Sequence, residues 1–317
     1  MSLFNELKSP ARYLPFLNGK YNTAPGLHKL GTDFGNGQAD SHIFQLDQQW
    51  PTYRKNKAQC LAEDLQKYFC HDRQHLPALK HTCSFIIQHL LAKHPAYFRL
   101  ETKERLTYLF SALSNERLMY DPFSAKEENY LQLFHQLALQ FQEDLAIWQL
   151  SDEDDWISCI HLCAPNHWSP QDKVGRSFSL VHEPVAGMEK MRERYLPMLR
   201  SLLKGGTFVR FAWGLATDKQ LNHHPLPPAG KDPLSWQGRS FDPDRGELYV
   251  RVERQTLSGF PEVQAALFTI RTYFENVREL NKDEKKALAE SLLSMSAESL
   301  RYKGLDKSLT EILTFMK

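Results

Sequence analysis

The spacing of apolar residues changes character twice along the chain. The first 55 residues have little periodicity, and the Gly-, Asn- and Pro-rich stretch NGKYNTAPGLHKLGTDFGNGQ predicts an ordered loop. From Asn56 to Leu150 the spacing becomes helical. Leu61, Leu65 and Tyr68 mark one helix, and Phe85, Ile86, Leu90 and Leu91 a second. Leu131, Phe134, Leu137, Ala138, Phe141 and Leu145 mark a longer third one. After the polar break Ser151-Asp152-Glu153-Asp154-Asp155 the period shortens, and WISCIHL reads as a strand. MEKMRERYLPMLRSLL then gathers Met188, Met191, Tyr195, Met198, Leu199 and Leu202 on one helical face. Gly205-Gly206 ends that helix, and Pro197 is predicted to kink or split it. TFVRFAW is a further strand. In ELYVRVERQTL, Leu248, Val250 and Val252 alternate with Tyr249, Arg251 and Glu253, predicting a half-buried strand. AALFTIRTYF sets Phe268 and Ile270 against Thr269, Arg271 and Tyr273 in the same way, and from Lys282 the tail is helical again. The pattern predicts an α+β fold: an antiparallel sheet over residues 151–280, framed by a loop-rich, helical region 1–150 and C-terminal helices 281–317, all packed as one integrated domain.

Composition narrows the function by exclusion. The chain has 317 residues, 42% hydrophobic and 24% charged, with a formal net charge of +1. Such balance gives no electrostatic reason to expect nucleic acid or an anionic membrane as partner. No apolar run reaches the roughly 18 residues of a spanning helix, and MSLFNELKSPARYLPF lacks the features of a signal peptide. Cys60, Cys70, Cys83, Cys159 and Cys163 include no CxxC pair, so a cytoplasmic protein with reduced thiols is expected rather than an iron–sulfur or structural zinc protein. GxGxxG, GxxxxGK[ST], GxSxG and HExxH are all missing, which weakens nucleotide-binding and hydrolase readings.

One segment, WSPQDKVGRSFSLVHEPV, has neither helical nor alternating spacing yet concentrates chemistry. His182 stands just ahead of Glu183-Pro184, a context that predicts extended backbone and an imidazole left open to a cavity. Such a histidine can ligate iron or act as a base, or it can simply bond a backbone carbonyl. Lys173, Arg176, Arg254 and Arg271 are cations in segments patterned for burial, so each needs an anion: an internal carboxylate such as Glu253 or Glu183, or an anionic ligand. His223 and His224 read as surface-loop residues, and Cys159, opposite Ile160 by alternation, as a plain buried cysteine. The connection from Thr217 to Arg245, with its prolines and Trp236, reads as an ordered lid or docking loop.

PNHWSPQDKVGRSFSLVHEPV, followed some way on by RVERQTLSGFPEVQAALFTIRTY, resembles the haem-dependent oxidative N-demethylase-like family. PGLHKL, QLDQQWPTY and FQEDLAIW extend the resemblance over residues 25–275. The resemblance implies a PAS-like sheet that binds haem b, with histidine as the iron ligand. It also implies oxidative N-demethylation of a small alkylamine such as dimethylamine with dioxygen, and electrons drawn from NADPH through a separate flavin and iron–sulfur protein. Carried over, the ligand is His182, with His161, Cys159 and Cys163 as the alternatives. Lys173, Arg176, Arg251, Arg254 and Arg271 become candidates for the haem propionates or the pocket, Arg254 first because ERQTL ends a strand. After the HEPV motif this chain has Ala186-Gly187 where the family pattern leads us to expect proline. A non-catalytic haem sensor or carrier on the same fold is the alternative function.

Overall fold

Two long strands, β9 (Tyr249–Phe260) and β10 (Ala265–Asn276), pair along their whole length and form the spine of the molecule. A short 3₁₀ turn joins them, closed by Gln264 with φ 49°. The computed structural model describes residues 6–24, 26–73, 75–183 and 195–317. Around the spine, seven antiparallel strands lie in the order β1-β8-β9-β10-β6-β7-β2. Their ranges are β1 His28–Lys29, β2 Phe69–His71, β6 Asp144–Leu150, β7 Asp155–His161 and β8 Thr207–Ala216. A separate antiparallel meander comprises β3 (Phe98–Lys103), β4 (Leu106–Ser111) and β5 (Glu116–Tyr120).

Both faces of the large sheet are covered. On one face, Ile147, Cys159 and Leu267 pack with Leu79, Ile86 and Phe134 from helices Leu76–Lys93 and Glu127–Ala138. Val250, Val252 and Tyr273 pack with Leu288, Leu292 and Ile312 from the C-terminal helices. On the other face, Ala146, Trp148, Ile160 and Ala266 meet Leu199 and Leu203 of helix Tyr195–Lys204. That helix lies so close to β9 that a Cβ on Gly259 would stand 2.3 Å from the Leu203 carbonyl oxygen, so only glycine fits there.

Mixed α and β content and the antiparallel sheet agree with the sequence pattern, but the expectation of a wholly helical stretch to Leu150 is corrected. LTYLFS alternates half-buried and buried positions as β4, and Glu104 and Asn115 close its two hairpins with φ 53° and 55°. The third predicted helix stops at Ala138, so Leu145 belongs to β6 rather than to a helix. Pro197 lies within helix Tyr195–Lys204. Met188, Met191 and Ala186-Gly187 lie outside the described residues. The half-buried expectation for β9 and β10 also fails: Arg251, Arg254 and Arg271 are all within 2% of complete burial.

Each of those arginines meets acceptors, and Arg271 meets carboxylates as well. Arg271 reaches the Asp47 carboxylate at 2.5 Å, lies 4.0 Å from Glu143, and donates to the Gln45 carbonyl. Arg254 donates to the carbonyls of His42 and Ile43 at 2.8 and 3.3 Å. Together they clamp residues 42–47 onto the sheet. Removing one partner of a buried charge pair strands the other, at a cost of about 3–5 kcal/mol. Arg271→Ala is therefore expected to lower the unfolding free energy in urea by about that amount; a loss under about 1 kcal/mol, as for a surface pair, would show that Asp47 and Glu143 do not depend on it.

Candidate functional site

A cavity of about 410 Å³ lies between the sheet and helix Tyr195–Lys204. Its two ends differ in chemistry. Toward β6, β7 and β10 the wall is apolar, made by Trp148, Ile157, Ile160, Phe268 and Ile270, with Leu199, Leu202 and Leu203 from the helix. Toward β8 and β9 it is charged. Arg210 pairs across the strands with Gln255, and Ala212 with Glu253, so Arg210 and Glu253 share one face. Arg239, Arg251, Lys303 and, from another side, Lys173 complete the charged lining among the described residues.

Five cations thus face one carboxylate, Glu253, among the described residues of the lining. Burial holds the Arg210 and Arg239 guanidiniums below their ordinary pKa, with Glu253 offsetting part of this for Arg210. Burial pushes Lys303 down to about 8; Glu253 opposes that shift, while Arg239 and Arg210 add to it. The Arg210 Nε is buried with no hydrogen-bond partner among the described residues. Arg251 differs at its two terminal nitrogens, which the carbonyls of Ala164, Pro165, Gln220 and Leu221 and the Nδ1 of His223 already occupy; its Nε, like that of Arg210, has no partner among the described residues. Unpaired buried charge is costly, so the corner formed by Arg210, Arg239 and Lys303 calls for an anion.

His182 lines the same cavity. Its backbone is not extended as expected. Ser177 caps a single helical turn, Phe178–Val181, and His182 forms the C-cap with φ −98° and ψ 4°. The restriction imposed by Pro184 falls on Glu183 alone, one residue too late to straighten His182. The Nδ1 of His182 is 2.9 Å from the Phe178 carbonyl, which can only accept, so Nδ1 carries the proton and Nε2 keeps its lone pair. Phe178 also packs against the ring at a centroid distance of 4.1 Å. Burial drives the His182 pKa down to about 4, against the Phe178 bond and reinforced by Arg210 and Lys173. Lys173 braces this turn, its ammonium donating to the Val181 carbonyl at 2.5 Å.

Of the residues singled out in the sequence, Lys173, His182 and Arg251 come together at the cavity. Arg176 is exposed. Arg254 and Arg271 do not line the cavity; their side chains bond residues 42–47 on the opposite face. Cys159 packs in the core on that opposite face, and neither His161 nor Cys163 lines the cavity. His223 and His224, expected on the surface, are 1% and 2% exposed. Within the Thr217–Arg245 connection, Trp236 donates to the His224 carbonyl at 2.8 Å and Arg239 reaches the cavity.

The sequence reading missed His167. It lines the cavity with φ 65°, a left-handed conformation rare for a side chain of this size and a common mark of functional positions. Its amide donates to the His223 carbonyl at 3.0 Å, and the two rings stack 5.5 Å apart. Burial, with Arg239, His223, Arg251 and Lys303 nearby, keeps its imidazole neutral.

The sequence pattern described as haem-dependent oxidative N-demethylase, alpha subunit-like, matches residues 36–313. The chain belongs to this family. The match covers every element of the cavity except the contributions of Tyr21, Asn22, Thr23 and Leu27. Membership carries a haem-dependent oxidative enzyme as the family description. Among the described residues no helix is long and apolar enough to cross a membrane.

Neutral burial of His182 has a consequence for stability. Below about pH 6.5 an unfolded chain protonates this ring, whereas the folded protein resists until about 4. The unfolded state then binds more protons, so His182 lowers stability as pH falls through that window, and its effect levels off below it. His182→Gln should make the decline in unfolding free energy between pH 6.5 and 4 shallower than in the unaltered protein. Equal slopes would show that the ring is not held neutral by the fold.

Proposed function

We propose that the cavity holds haem b and that the protein oxidatively N-demethylates a small alkylamine such as dimethylamine. Dioxygen is the oxidant in this reading, and two electrons come from NADPH through a separate flavin and iron–sulfur protein. The balance is dimethylamine, dioxygen, two protons and two electrons giving methylamine, formaldehyde and water. The observation that supports it is the division of the cavity into an apolar end and an unbalanced cationic corner. A macrocycle with a hydrophobic body and two carboxylates on one edge has the matching polarity, and about 410 Å³ falls within the ~300–1,000 Å³ of cofactor and ligand sites. The Arg210 Nε without a partner, and the imidazole lone pair that the Phe178 carbonyl leaves on Nε2, fit the same group.

In this reading the large antiparallel sheet is the PAS-like platform, His182 offers Nε2 to iron, and Arg210, Arg239 and Lys303 hold the propionates. When bound, haem supplies the redox chemistry at iron. The chain supplies the rest. Phe178 and its carbonyl fix the His182 ring and tautomer. The apolar wall excludes water from the reacting side. His167, held neutral on the cavity wall, offers a ring nitrogen that can accept a hydrogen bond from the amine and orient it. A cytoplasmic setting would keep the five free cysteines reduced.

Haem added to the protein is expected to give a Soret band that His182→Ala abolishes in a chain that remains folded. Arg210→Ala and Arg239→Ala should each weaken haem binding by about tenfold to a hundredfold, since a charge-assisted hydrogen bond contributes about 1.5–3 kcal/mol. Arg254→Ala should cost stability and leave haem affinity unchanged. Retention of the band in His182→Ala would move the ligand elsewhere, with His167 first to be tested.

With a reducing partner, release of formaldehyde from a dimethylamine-like substrate is the expected activity. Haem binding without formaldehyde from any secondary alkylamine would assign the cavity to haem sensing or carriage instead.

A further inference from the structure

The described residues contain a second chemical cluster away from the cavity, formed where β6 begins and β7 ends. One ligand atom each from Asp144, His161 and Cys163 lie within 4.8 Å of one another, and all three residues are buried. His161 is 0% exposed, and neither of its ring nitrogens has a hydrogen-bond partner among the described residues. That is an expensive way to bury an imidazole. One nitrogen must carry a proton with no acceptor and the other a lone pair with no donor, each costing of the order a lost hydrogen bond. The thiol of Cys60 stands beside Cys163, within hydrogen-bond distance of its carbonyl at 3.5 Å.

We propose that Asp144, His161 and Cys163 bind a structural zinc ion, with Cys60 as the nearby donor for a fourth position. The donor set is the nitrogen, sulfur and oxygen mixture that zinc prefers, and burial suits a closed structural site. Bonds of about 2.0–2.3 Å place tetrahedral ligands roughly 3.3–3.8 Å apart, so small side-chain rotations close the observed spacing. Binding displaces the Cys163 and Cys60 thiol protons to solvent, and two zinc–sulfur bonds form with no change of oxidation state. The two positive charges of the ion and the Lys57 ammonium beside Asp144 are then matched by the Asp144 carboxylate and the Cys163 and Cys60 thiolates.

Three neighbouring groups bear on whether Asp144 is free to do this. Its oxygens accept from the Cys163 and Ala164 amides at 2.9 and 2.7 Å, which points the carboxylate at the turn and still leaves each oxygen a second lone pair. Lys57 is 3.9 Å away, but its ammonium already donates to the carbonyls of Ala138, Phe141 and Glu143. The ion would pin the turn at Cys163-Ala164 to the start of β6 and the end of β7. Arg251 holds the Ala164 and Pro165 carbonyls of that same turn, and His167 follows it.

The test uses the full chain expressed with zinc, haem-free and haem-loaded, with metals counted by elemental mass spectrometry. One zinc per chain is expected in both preparations, independent of iron, so this result stands or falls apart from the haem reading. Cobalt supplied instead of zinc during expression should give a sulfur-to-cobalt charge-transfer band. Cys163→Ser should reduce the band and weaken zinc binding by more than about tenfold, as expected for loss of one direct ligand. His161→Gln should do the same. Absence of both zinc and the band from the unaltered chain overturns the site even if the variants fail to fold. Zinc held equally by the unaltered chain and Cys163→Ser overturns it too.

Discussion

Three arginines fixed in the middle of the sheet set the terms for everything around them. Arg251, Arg254 and Arg271 are buried in β9 and β10, and a guanidinium there must be surrounded by acceptors or the fold fails. Each draws its acceptors from irregular chain. Arg254 takes the carbonyls at 42 and 43, and Arg271 takes Gln45 and Asp47. Arg251 takes those at 164, 165, 220 and 221. Those irregular segments become extensions of the sheet. Because residues 251 and 254 differ by three along a strand, they serve opposite faces. One strand therefore anchors the N-terminal segment behind the sheet and the cavity loops in front of it.

That arrangement explains how a cavity with polar and apolar ends is built from short elements. The sheet itself carries the gradient, from Trp148 and Ile160 at one side to Arg210 and Glu253 at the other. The helix Tyr195–Lys204 closes the apolar side, seated by the absence of a Cβ at Gly259. The turn bearing His182 is held by Ser177 as cap and by Lys173 bonding the Val181 carbonyl. Lys173 thus contributes to the site by supporting the histidine.

Alternation made β7, β8, β9 and β10 legible, because period two survives in WISCIHL and ELYVRVERQTL even when both faces are buried. The meander β3–β5 was hidden, since its exposed strand FRLETK has almost no apolar period and its turns depend on left-handed Glu104 and Asn115. His182 and Lys173 were readable from a segment with more chemistry than structure. The anion-seeking corner was not. Arg210, Arg239 and Lys303 come from a strand, a connection and a C-terminal helix, and only the fold brings them together. Conversely, Arg254 and Arg271 looked like ligand contacts because the carbonyls that satisfy them lie about two hundred residues away in sequence. His167 carries one signal in retrospect, its place beside Asn166 and ahead of Trp168 in a stretch with no regular period.

The cationic corner also makes occupancy a matter of folding. Like charges confined in a dry space repel, which raises the free energy of the native state relative to the unfolded chain. An anionic occupant relieves that repulsion and, by mass action, stabilises the native state by RT ln(1 + [L]/Kd), about 2.7 kcal/mol at a hundredfold excess over Kd. Against a total stability of about 5–15 kcal/mol, this is enough to change the fraction of chains open to proteolysis by two orders of magnitude. Supply of the occupant would then set how much of the protein persists, as well as how much of it is loaded.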